Sequence, residues 1–489
     1  MISLVLFFIV LIAYIFIQNE IKRRKFPTGP YPWPIVGNIF QLDINAPEIT
    51  LNKWRDIYGQ IFTIWLPTPL VILADGQLME DTFGRPGETF AGRCRSAIMD
   101  ILFKGNYGLM LNENHVYKTQ RRFALQTLKN FGFGRTELEP TILMTAEDSI
   151  EAELKRNGNT GKVNTKRIFA VANAGVIHKL VFGDYIADSD EVMKYKITVE
   201  NVFTDWYKPS WMLLEAMPWL WWLEKLGIYN FGVSNAAKHN DVFLEFLNSN
   251  IEAHRKKRKN ESIRQQPQDY ADAFLDEMEK TNDQGFENWQ FTIACYDLWG
   301  AGVETVTTTL QYAVLYLLHN PEIQRKLKTE LREFQEPLTA SNLKSLTFLN
   351  AFIQEIHRIA NVIPLSLVHE TLEPCEIAGY RFDTGTAVIA QLACFNLDPK
   401  IFPDPEKCVP ERHISNGEFK PNKLLKPFSI GRRSCLGEAL AKPQTILLLA
   451  ILLKKYSIRP LDPKNLPRIF ARPGLVRVPE DFDCLFVQD

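Results

Sequence analysis

The sequence lacks the features that would suit it for nucleic acids or for a repetitive architecture. Its 489 residues carry 56 basic and 57 acidic side chains, so the formal net charge is only −1. A near-neutral chain has no field that would attract nucleic acid, and we expect no nucleic-acid partner. There is no long Ser/Gly linker, low-complexity tract or repeat of fixed period, which favours one large domain.

Cysteine is also scarce and irregularly spaced. Seven cysteines occur, at positions 94, 295, 375, 394, 408, 435 and 484. The odd number and the lack of any CxxC pair argue against a disulfide framework and against a zinc site. Reduced thiols facing a cytosol fit better, and one of them could be a ligand. A glycine-rich βαβ fingerprint is likewise missing, so nothing suggests a bound dinucleotide or flavin.

Local patterns favour a mainly α-helical domain. From about residue 140 onward, helical periodicity marks segments such as Thr145–Lys155, Ala236–Arg255, Tyr270–Lys280, Trp289–Leu318 and Pro321–Phe334. Strand-like runs are fewer and short, at Gln60–Trp65, Leu70–Leu73, Cys375–Ile377 and Thr386–Ile389. We therefore expect one small sheet near the N-terminal part and another late in the chain.

The N-terminus resembles a membrane anchor. Ile2 to Ile17 form an uncharged apolar run, slightly shorter than the usual span of about 17–25 residues. A basic cluster follows at Lys22–Lys25, which the positive-inside rule keeps in the cytosol. A cleaved signal peptide is the alternative, but no basic residues precede the run and no small-x-small site follows it.

Four prolines, Pro27, Pro30, Pro32 and Pro34, lie in the stretch that ends at Asn38, and they would make it a stiff, non-helical spacer. The predicted organisation is an anchor over residues 1–20, a basic and proline-rich linker over 21–38 and one large domain over 39–489.

The segment from Phe428 to Gly437, FSIGRRSCLG, carries the most chemical information. It precedes a predicted helix, Glu438–Leu453. A cysteine at a helix N-terminus beside two arginines should have a depressed pKa and present a thiolate. In that setting Phe428 would shield the sulfur, and Arg433 would pair with a carboxylate of a flat cofactor that the glycines admit. The alternative for Cys435 is a buried structural cysteine.

The pattern F-x-x-G-x-R-x-C-x-G resembles the haem-binding loop of the cytochrome P450 superfamily, and all five fixed positions match. The resemblance covers essentially the whole chain and is closest to the animal microsomal, family-2-like branch. It implies heme b, iron protoporphyrin IX, with Cys435 as the axial ligand and metal-binding residue. The implied fold is mainly α, a large single domain with small β-sheets behind an N-terminal transmembrane helix.

The apolar segment Trp289–Leu318 contains Ala301-Gly302-Val303-Glu304-Thr305, which resembles the family's oxygen-binding groove. A buried carboxylate is costly and calls for a role. The resemblance implies that Thr305 hydrogen-bonds the iron-bound oxygen at a helix kink and that Glu304 relays protons to it. The alternative is a threonine that only bonds back to a carbonyl of its own helix.

Glu355 and Arg358 match the family's E-x-x-R, and Pro410-Glu411-Arg412-His413 resembles its P-E-R-F. E-x-x-R alone carries little weight, because the same spacing occurs at Glu322 and Arg325, where a surface ion pair suffices. The resemblance implies a buried network of Glu355, Arg358 and Arg412 that supports the fold. His413 replaces the usual aromatic residue, a departure that we expect to affect packing.

Four further residues match positions that hold the haem propionates in the microsomal enzymes. Arg93 stands in FAGR, Tyr117 and Arg121 in Y-K-T-Q-R-R-F, and His369 in LVH. Tyr117 replaces a tryptophan, although a phenol still donates one hydrogen bond. For each residue taken alone, a surface role is the alternative.

The resemblance implies a monooxygenase that inserts one oxygen atom from O2 into a lipophilic small molecule. Electrons would come from NADPH through a membrane-bound NADPH–cytochrome P450 reductase, with cytochrome b5 as an additional helper. The implied location is the endoplasmic reticulum membrane, single-pass, with a cytosolic catalytic domain.

Two other functions would use the same haem. A haem-thiolate isomerase or dehydratase would rearrange peroxides without a reductase, but such relatives tend to lose the acid–threonine pair that is present here. A non-catalytic haem-binding protein would not need the relay residues. A third alternative is an unrelated membrane-tethered helical scaffold without haem.

The sequence leaves the substrate open among fatty acids, steroids and xenobiotics. The tryptophan-rich segment 202–226 lies where the family has its substrate-access helices. It would either touch the membrane or pack in the core.

Overall fold

The structure is a computed structural model that describes residues 17–18, 20–66, 68–84, 88–186, 189–260 and 266–488. The predicted anchor over residues 1–20 therefore lies almost entirely outside the described residues. Within the described ranges, no helix combines the length and apolar character that crossing a membrane requires.

Helices dominate the described chain, which confirms the mainly α prediction. In chain order they are α1 (Pro47–Tyr58), α2 (Gly76–Met79), α3 (Ala97–Phe103), α4 (Asn114–Asn130), α5 (Glu139–Arg156), α6 (Thr165–Phe182), α7 (Ser189–Asp205), α8 (Pro209–Ala216), α9 (Trp221–Lys225), α10 (Val233–Asn260), α11 (Tyr270–Lys280), α12 (Asn288–His319), α13 (Pro321–Glu333), α14 (Thr347–Ala360) and α15 (Glu438–Lys455). The sequence pattern indicates helices mainly from about residue 140 onward, whereas the structure also has helices before that point, of which α4 is the longest.

The strands are short and form several small sheets. In chain order they are β1 (Ile61–Leu66), β2 (Thr68–Leu73), β3 (Lys162–Asn164), β4 (His369–Glu370), β5 (Cys375–Ile377), β6 (Tyr380–Phe382), β7 (Ala387–Ala390), β8 (Ile414–Ser415), β9 (Glu418–Phe419), β10 (Tyr456–Pro460), β11 (Ala471–Arg472), β12 (Val478–Pro479) and β13 (Asp483–Gln488).

The chain folds into two compact units whose sequences alternate. As far as residues are described, the first contains Met1–Cys94, Leu365–Cys394 and Ser429–Arg433, and the second contains Arg95–Pro364, Phe395–Phe428 and Ser434–Asp489.

The first unit is built on a four-stranded sheet with the order β1-β2-β7-β4. Strands β1 and β2 form an antiparallel hairpin, and β2 pairs in parallel with β7, with Leu70 opposite Ala387. The expectation of separate early and late sheets is therefore wrong for these strands. Parallel partners need a long crossover connection, so a local pattern shows each strand but not its partner.

The second unit is organised around α12, which is buried on nearly all sides along its 32 residues. A helix that is apolar all round belongs in the centre of a large core. Gly302 permits a close approach to α6, since a Cβ there would lie 2.7 Å from the Cδ1 atom of Ile177. This packing accounts for the glycine that the sequence places beside Glu304.

A three-stranded antiparallel sheet, β10-β13-β3, and the hairpin β11–β12 also belong to the second unit. The hairpin is held against the C-terminal end of α7, where the Leu475 N–H donates to the Phe203 carbonyl over 2.9 Å.

Candidate functional site

Cys435 lies in a loop immediately before α15. Its backbone N–H donates to the carbonyl of Phe428 over 2.8 Å, which closes the loop onto the first residue of the motif. The Phe428 ring packs edge-on against His357, with ring centroids 5.6 Å apart, and Lys442 Nζ lies 5.4 Å from its centroid. Phe428 and Cys435 are thereby held in a fixed relation.

The thiol of Cys435 differs from the other thiols in its exposure. All seven cysteines lie in described ranges, and Cys435 alone is exposed. Neighbouring protein atoms nevertheless remove water from the sulfur and raise its pKa, while the backbone N–H groups of Gly437 and Glu438 act in the opposite direction. The expected depressed pKa is therefore wrong for the polypeptide by itself. A coordinated metal ion deprotonates a thiol outright, so ligation does not require a low starting pKa.

Arg121 belongs to the same unit as Cys435 and reaches its loop. The guanidinium donates to the carbonyl of Ser434 over 2.7 Å. Tyr117 lies one turn earlier on α4 and is buried. Residues four apart share one face of a helix, so the two sequence matches lie on the same side of α4.

In the first unit, the other predicted propionate residues, Arg93, Arg433 and His369, lie where the segment around Ala91 contacts the segment around Val368. Arg93 donates to the Val368 carbonyl over 2.9 Å, and Arg433 donates twice to the Ala91 carbonyl, over 2.6 and 2.9 Å. Gly92 is essential there, because a Cβ would lie 2.6 Å from the Glu370 carbonyl oxygen. The structure thus brings two arginines from distant parts of the sequence to one short segment.

His369 completes this group. Its Nδ1 lies 2.6 Å from the Phe90 carbonyl, which can only accept, so Nδ1 carries a proton. Burial, with the charges of Arg93 and Arg433, holds the pKa of His369 well below its usual value. The ring is therefore neutral, and its Nε2 can only accept a hydrogen bond.

Thr305 and Glu304 lie near the middle of α12, which is continuous through this segment. The Thr305 hydroxyl donates to the Ala301 carbonyl over 2.9 Å. This is the hydrogen bond within one helix that a threonine without a catalytic role would make. Its oxygen can still accept one further hydrogen bond.

Glu304 is 1% exposed and has a charged partner that sequence reasoning missed. Lys196 on α7 lies 3.2 Å from Glu304 Oε2. A sequence signal existed, because Lys196 and Glu200 stand four residues apart among apolar residues of a helix.

Glu355 is the centre of a second buried cluster. Arg358 makes two 2.8 Å hydrogen bonds to it, and Arg412 approaches to 3.4 Å, as the sequence motif predicts. His413 also bonds Glu355, over 2.9 Å. The expectation that the change to His413 mainly affects packing is therefore wrong. Burial alone would raise the pKa of Glu355, but the hydrogen bonds from Arg358 and His413 outweigh it and lower the pKa to about 2.

The helical fold, the exposed thiol in its glycine-flanked loop and the Glu–Arg–Arg cluster together define the class of haem-thiolate enzymes. The family profile described as Cytochrome P450 matches residues 27–486. The chain therefore belongs to the cytochrome P450 family, oxidoreductases that act as monooxygenases and bind haem through a cysteine thiolate.

Curated relatives agree over almost the whole length. "Probable cytochrome P450 CYP36A1" of Caenorhabditis elegans is 35% identical over 477 residues, covering 94% of each chain. "Cytochrome P450 2J2" of Homo sapiens is 30% identical and covers 93% of this chain and 90% of its own. "Cytochrome P450 2C5" of Oryctolagus cuniculus is 30% identical and covers 98% and 97%.

The residues present suit a haem group. Cys435 stands at the motif position of the family's iron ligand and is the exposed thiol. Arg93 and Arg433 in the first unit, and Arg121 in the second, are cations of the kind that pairs with propionate carboxylates.

Proposed function

We propose that the protein is a membrane-anchored monooxygenase that inserts one oxygen atom from O2 into a lipophilic small molecule, with electrons from NADPH delivered by a separate reductase. The observation that carries this proposal is the exposed Cys435 thiol in the family's loop, in the same unit as the Glu304–Thr305 pair.

Cys435 would hold the haem through its thiolate, and the bound group would supply the oxygen chemistry, because thiolate donation favours O–O cleavage. Thr305 offers its hydroxyl oxygen as an acceptor, since its own proton is directed to the Ala301 carbonyl. Glu304, one residue earlier, would pass protons toward this position. Phe428, whose ring packs against His357 and lies beside Lys442, would shield the sulfur from water once the haem is bound.

Arg93, Arg433 and Arg121 would neutralise the propionates of heme b, with Tyr117 as a further donor. His369 differs from them. Its neutral ring presents only an acceptor at Nε2, so it would contact a propionate after taking up a proton.

The membrane placement rests on two features of the chain, one of its sequence and one of its surface. The apolar run at residues 2–17, followed by Lys22–Lys25, would anchor the protein in the endoplasmic reticulum with the enzyme in the cytosol. Exposed apolar side chains after α8 would dip into the same membrane and admit lipophilic substrates, namely Trp219, Trp222, Leu226, Ile228 and Tyr229. Exposed Lys420 and Lys423 near the cysteine loop would help to bind an acidic NADPH–cytochrome P450 reductase or cytochrome b5.

The decisive experiment is the absorption spectrum of the reduced, purified protein under carbon monoxide, with Cys435→Ala beside it. We expect a strongly red-shifted Soret band in the wild type and its loss in the variant. Cys484→Ala, which removes a buried thiol from β13, is the control and should keep the band. Haem with an unshifted band in the wild type, or folded protein without haem, would contradict the proposal.

Turnover is then tested with NADPH, the reductase and a panel of laurate, progesterone and 7-ethoxycoumarin. Product that depends on NADPH and contains oxygen from labelled O2 would support monooxygenation. Rearrangement of a lipid hydroperoxide without NADPH would instead indicate the isomerase alternative.

A further inference from the structure

Glu304 is one end of a chain of charged side chains in the second unit. Lys196 Nζ lies 3.3 and 3.2 Å from the two oxygens of the Glu304 carboxylate. The same Nζ pairs with Glu200, one turn further along α7. Glu200 in turn lies 3.2 Å from Nζ of Lys166, near the start of α6. Acidic and basic groups therefore alternate in direct contact.

The other end of the chain reaches water. Lys166 also pairs with Asp481, whose side chain is 57% exposed. Arg472 of β11 pairs with Glu200 and is itself partly exposed. The hairpin β11–β12, which carries Arg472 and precedes Asp481, is fastened to α7 by the bond from Leu475 to Phe203. Contacts thus run without a break from solvent to Glu304.

The inner members of this chain are almost wholly buried. Side-chain exposure is 0% for Lys196, 3% for Glu200 and 4% for Lys166. Removing charges from water is costly, and apolar side chains of similar volume often give equal or greater stability. Stability alone is therefore a weak explanation for a chain of this kind.

The two lysines are also unusually able to give up a proton. Burial lowers the pKa of Lys196, and burial together with the charge of Lys196 lowers the pKa of Lys166 to about 8. A buried lysine with such a pKa exchanges protons near neutral pH, which an ordinary surface lysine does not.

We propose that Lys196, Glu200 and Lys166 form a proton relay that carries protons from water at Asp481 to Glu304. The proposal rests on the proposed function, in which Glu304 supplies protons beside Thr305. One turnover consumes O2, two electrons from NADPH and two protons; one oxygen enters the substrate and the other leaves as water. A proton that leaves Glu304 is replaced from Lys196, which is reprotonated by way of Glu200 and Lys166. Lys196 acts through Glu304 and is a positioning residue.

The test uses the full-length enzyme reconstituted with NADPH–cytochrome P450 reductase in phospholipid vesicles. Lys196→Met and Lys166→Met remove the relay nitrogens while keeping much of the side-chain volume. Arg258→Met is the matched control, because it removes a 2.6 Å ion pair with Asp276 that lies between α10 and α11. The readouts are NADPH oxidation in H2O and in D2O, and the rate of haem reduction under carbon monoxide.

We expect NADPH oxidation about tenfold slower in Lys196→Met and Lys166→Met, the low end of what proton-transfer groups contribute. The solvent isotope effect should rise in both, with haem reduction unchanged. A purely structural network would not move the isotope effect. If Lys196→Met fails to retain haem, Lys166→Met carries the test, because Lys166 does not touch Glu304 and is separated from it by Glu200 and Lys196.

The relay would be overturned if a haem-loaded Lys196→Met or Lys166→Met variant had the same rate of NADPH oxidation and the same solvent isotope effect as Arg258→Met. This result is distinct from failure of the proposed function. If the wild-type protein lacks the red-shifted carbon monoxide band, both the proposed function and the relay are overturned. If the wild type has that band and NADPH-dependent turnover, but the lysine variants keep the control rate and isotope effect, the relay alone is overturned.

Discussion

The second unit contains two buried ionic clusters that are built differently. Around Glu355, the rigid fork of Arg358 makes paired bonds and also donates to the carbonyls of Asn396 and Pro405, over 2.6 and 2.8 Å. Around Glu304, the cation in contact with the carboxylate is the ammonium group of Lys196, and the contacts continue through Glu200 and Lys166 to the exposed Asp481. The first cluster is closed by backbone groups, and the second is open to water.

The pKa shifts show what this difference means. The pKa of Glu355 falls to about 2, so the folded protein favours its charged form. The pKa of Lys166 falls to about 8, so the folded protein disfavours the charged form of that lysine. The Glu355 cluster stabilises the charged forms of its members and so supports the fold. The cluster with Lys166 makes its lysines easier to deprotonate and is therefore suited to proton transfer.

The largest expected effect comes from breaking the closed cluster with Arg358→Met. Glu355 would lose its main partner, and the carbonyls of Asn396 and Pro405 would lose their donor. We expect the free energy of unfolding to fall by about 3–5 kcal/mol, the usual cost of breaking a buried ion pair. Denaturant unfolding checks this value.

Arg325→Met is the matched control, since Arg325 has the same spacing from Glu322 but is exposed on α13. Its effect should stay below about 0.5 kcal/mol. Equal losses in the two variants would remove the distinction between the buried and the exposed copies of the motif.

The next effect in size is the dependence of the free energy of unfolding on acidic pH. Because the pKa of Glu355 is lowered from 4.5 to about 2, its ionised form stabilises the fold above about pH 4.5, and this contribution disappears as the pH falls toward 2. The loss amounts to about 3 kcal/mol. Unfolding of the wild type and of Glu355→Gln should therefore converge between pH 4.5 and 2. A difference that stays constant over this interval would contradict the assignment.

The smallest effect on stability is expected at the open end, in Asp481→Asn. An exposed carboxylate contributes about 0–1 kcal/mol, so the unfolding midpoint should scarcely change, while NADPH oxidation slows by less than in Lys196→Met. Asp404→Asn, which removes an exposed partner of Lys407, should change neither quantity. Asp481→Asn with wild-type NADPH oxidation would separate Asp481 from the relay.

The sequence was most informative where the signal is local. Helical periodicity predicts α11, and in the structure the side chain of its N-cap residue, Asp269, accepts a hydrogen bond from the Asp272 N–H. The loop ending at Gly437 could be found because its spacing is fixed by one cofactor. The Glu355–Arg358 pair could be found because one helical turn separates its members, and Arg412 followed from the family motif.

The remainder depends on contacts between distant segments, which periodicity does not show. Lys196 and Glu304 are 108 residues apart, and the sequence of neither helix indicates that these two side chains form an ion pair. His413 appeared to be a packing change because only the folded structure shows Glu355 Oε2 facing its ring. The helix N-terminus and the two arginines predict a low pKa for Cys435, but neighbouring atoms from the folded chain remove water from its sulfur and raise the pKa.

The parallel pairing of β2 with β7 has a consequence for biosynthesis. About 300 residues separate Leu73 from Ala387, so a ribosome working at roughly 5–20 residues per second needs on the order of 15–60 s to supply the partner strand. During that time the hairpin β1–β2 exposes an unpaired edge, and a lone two-stranded hairpin is marginally stable at best. The hairpin is therefore synthesised early, but its sheet can be completed only after the late strand β7 has been made.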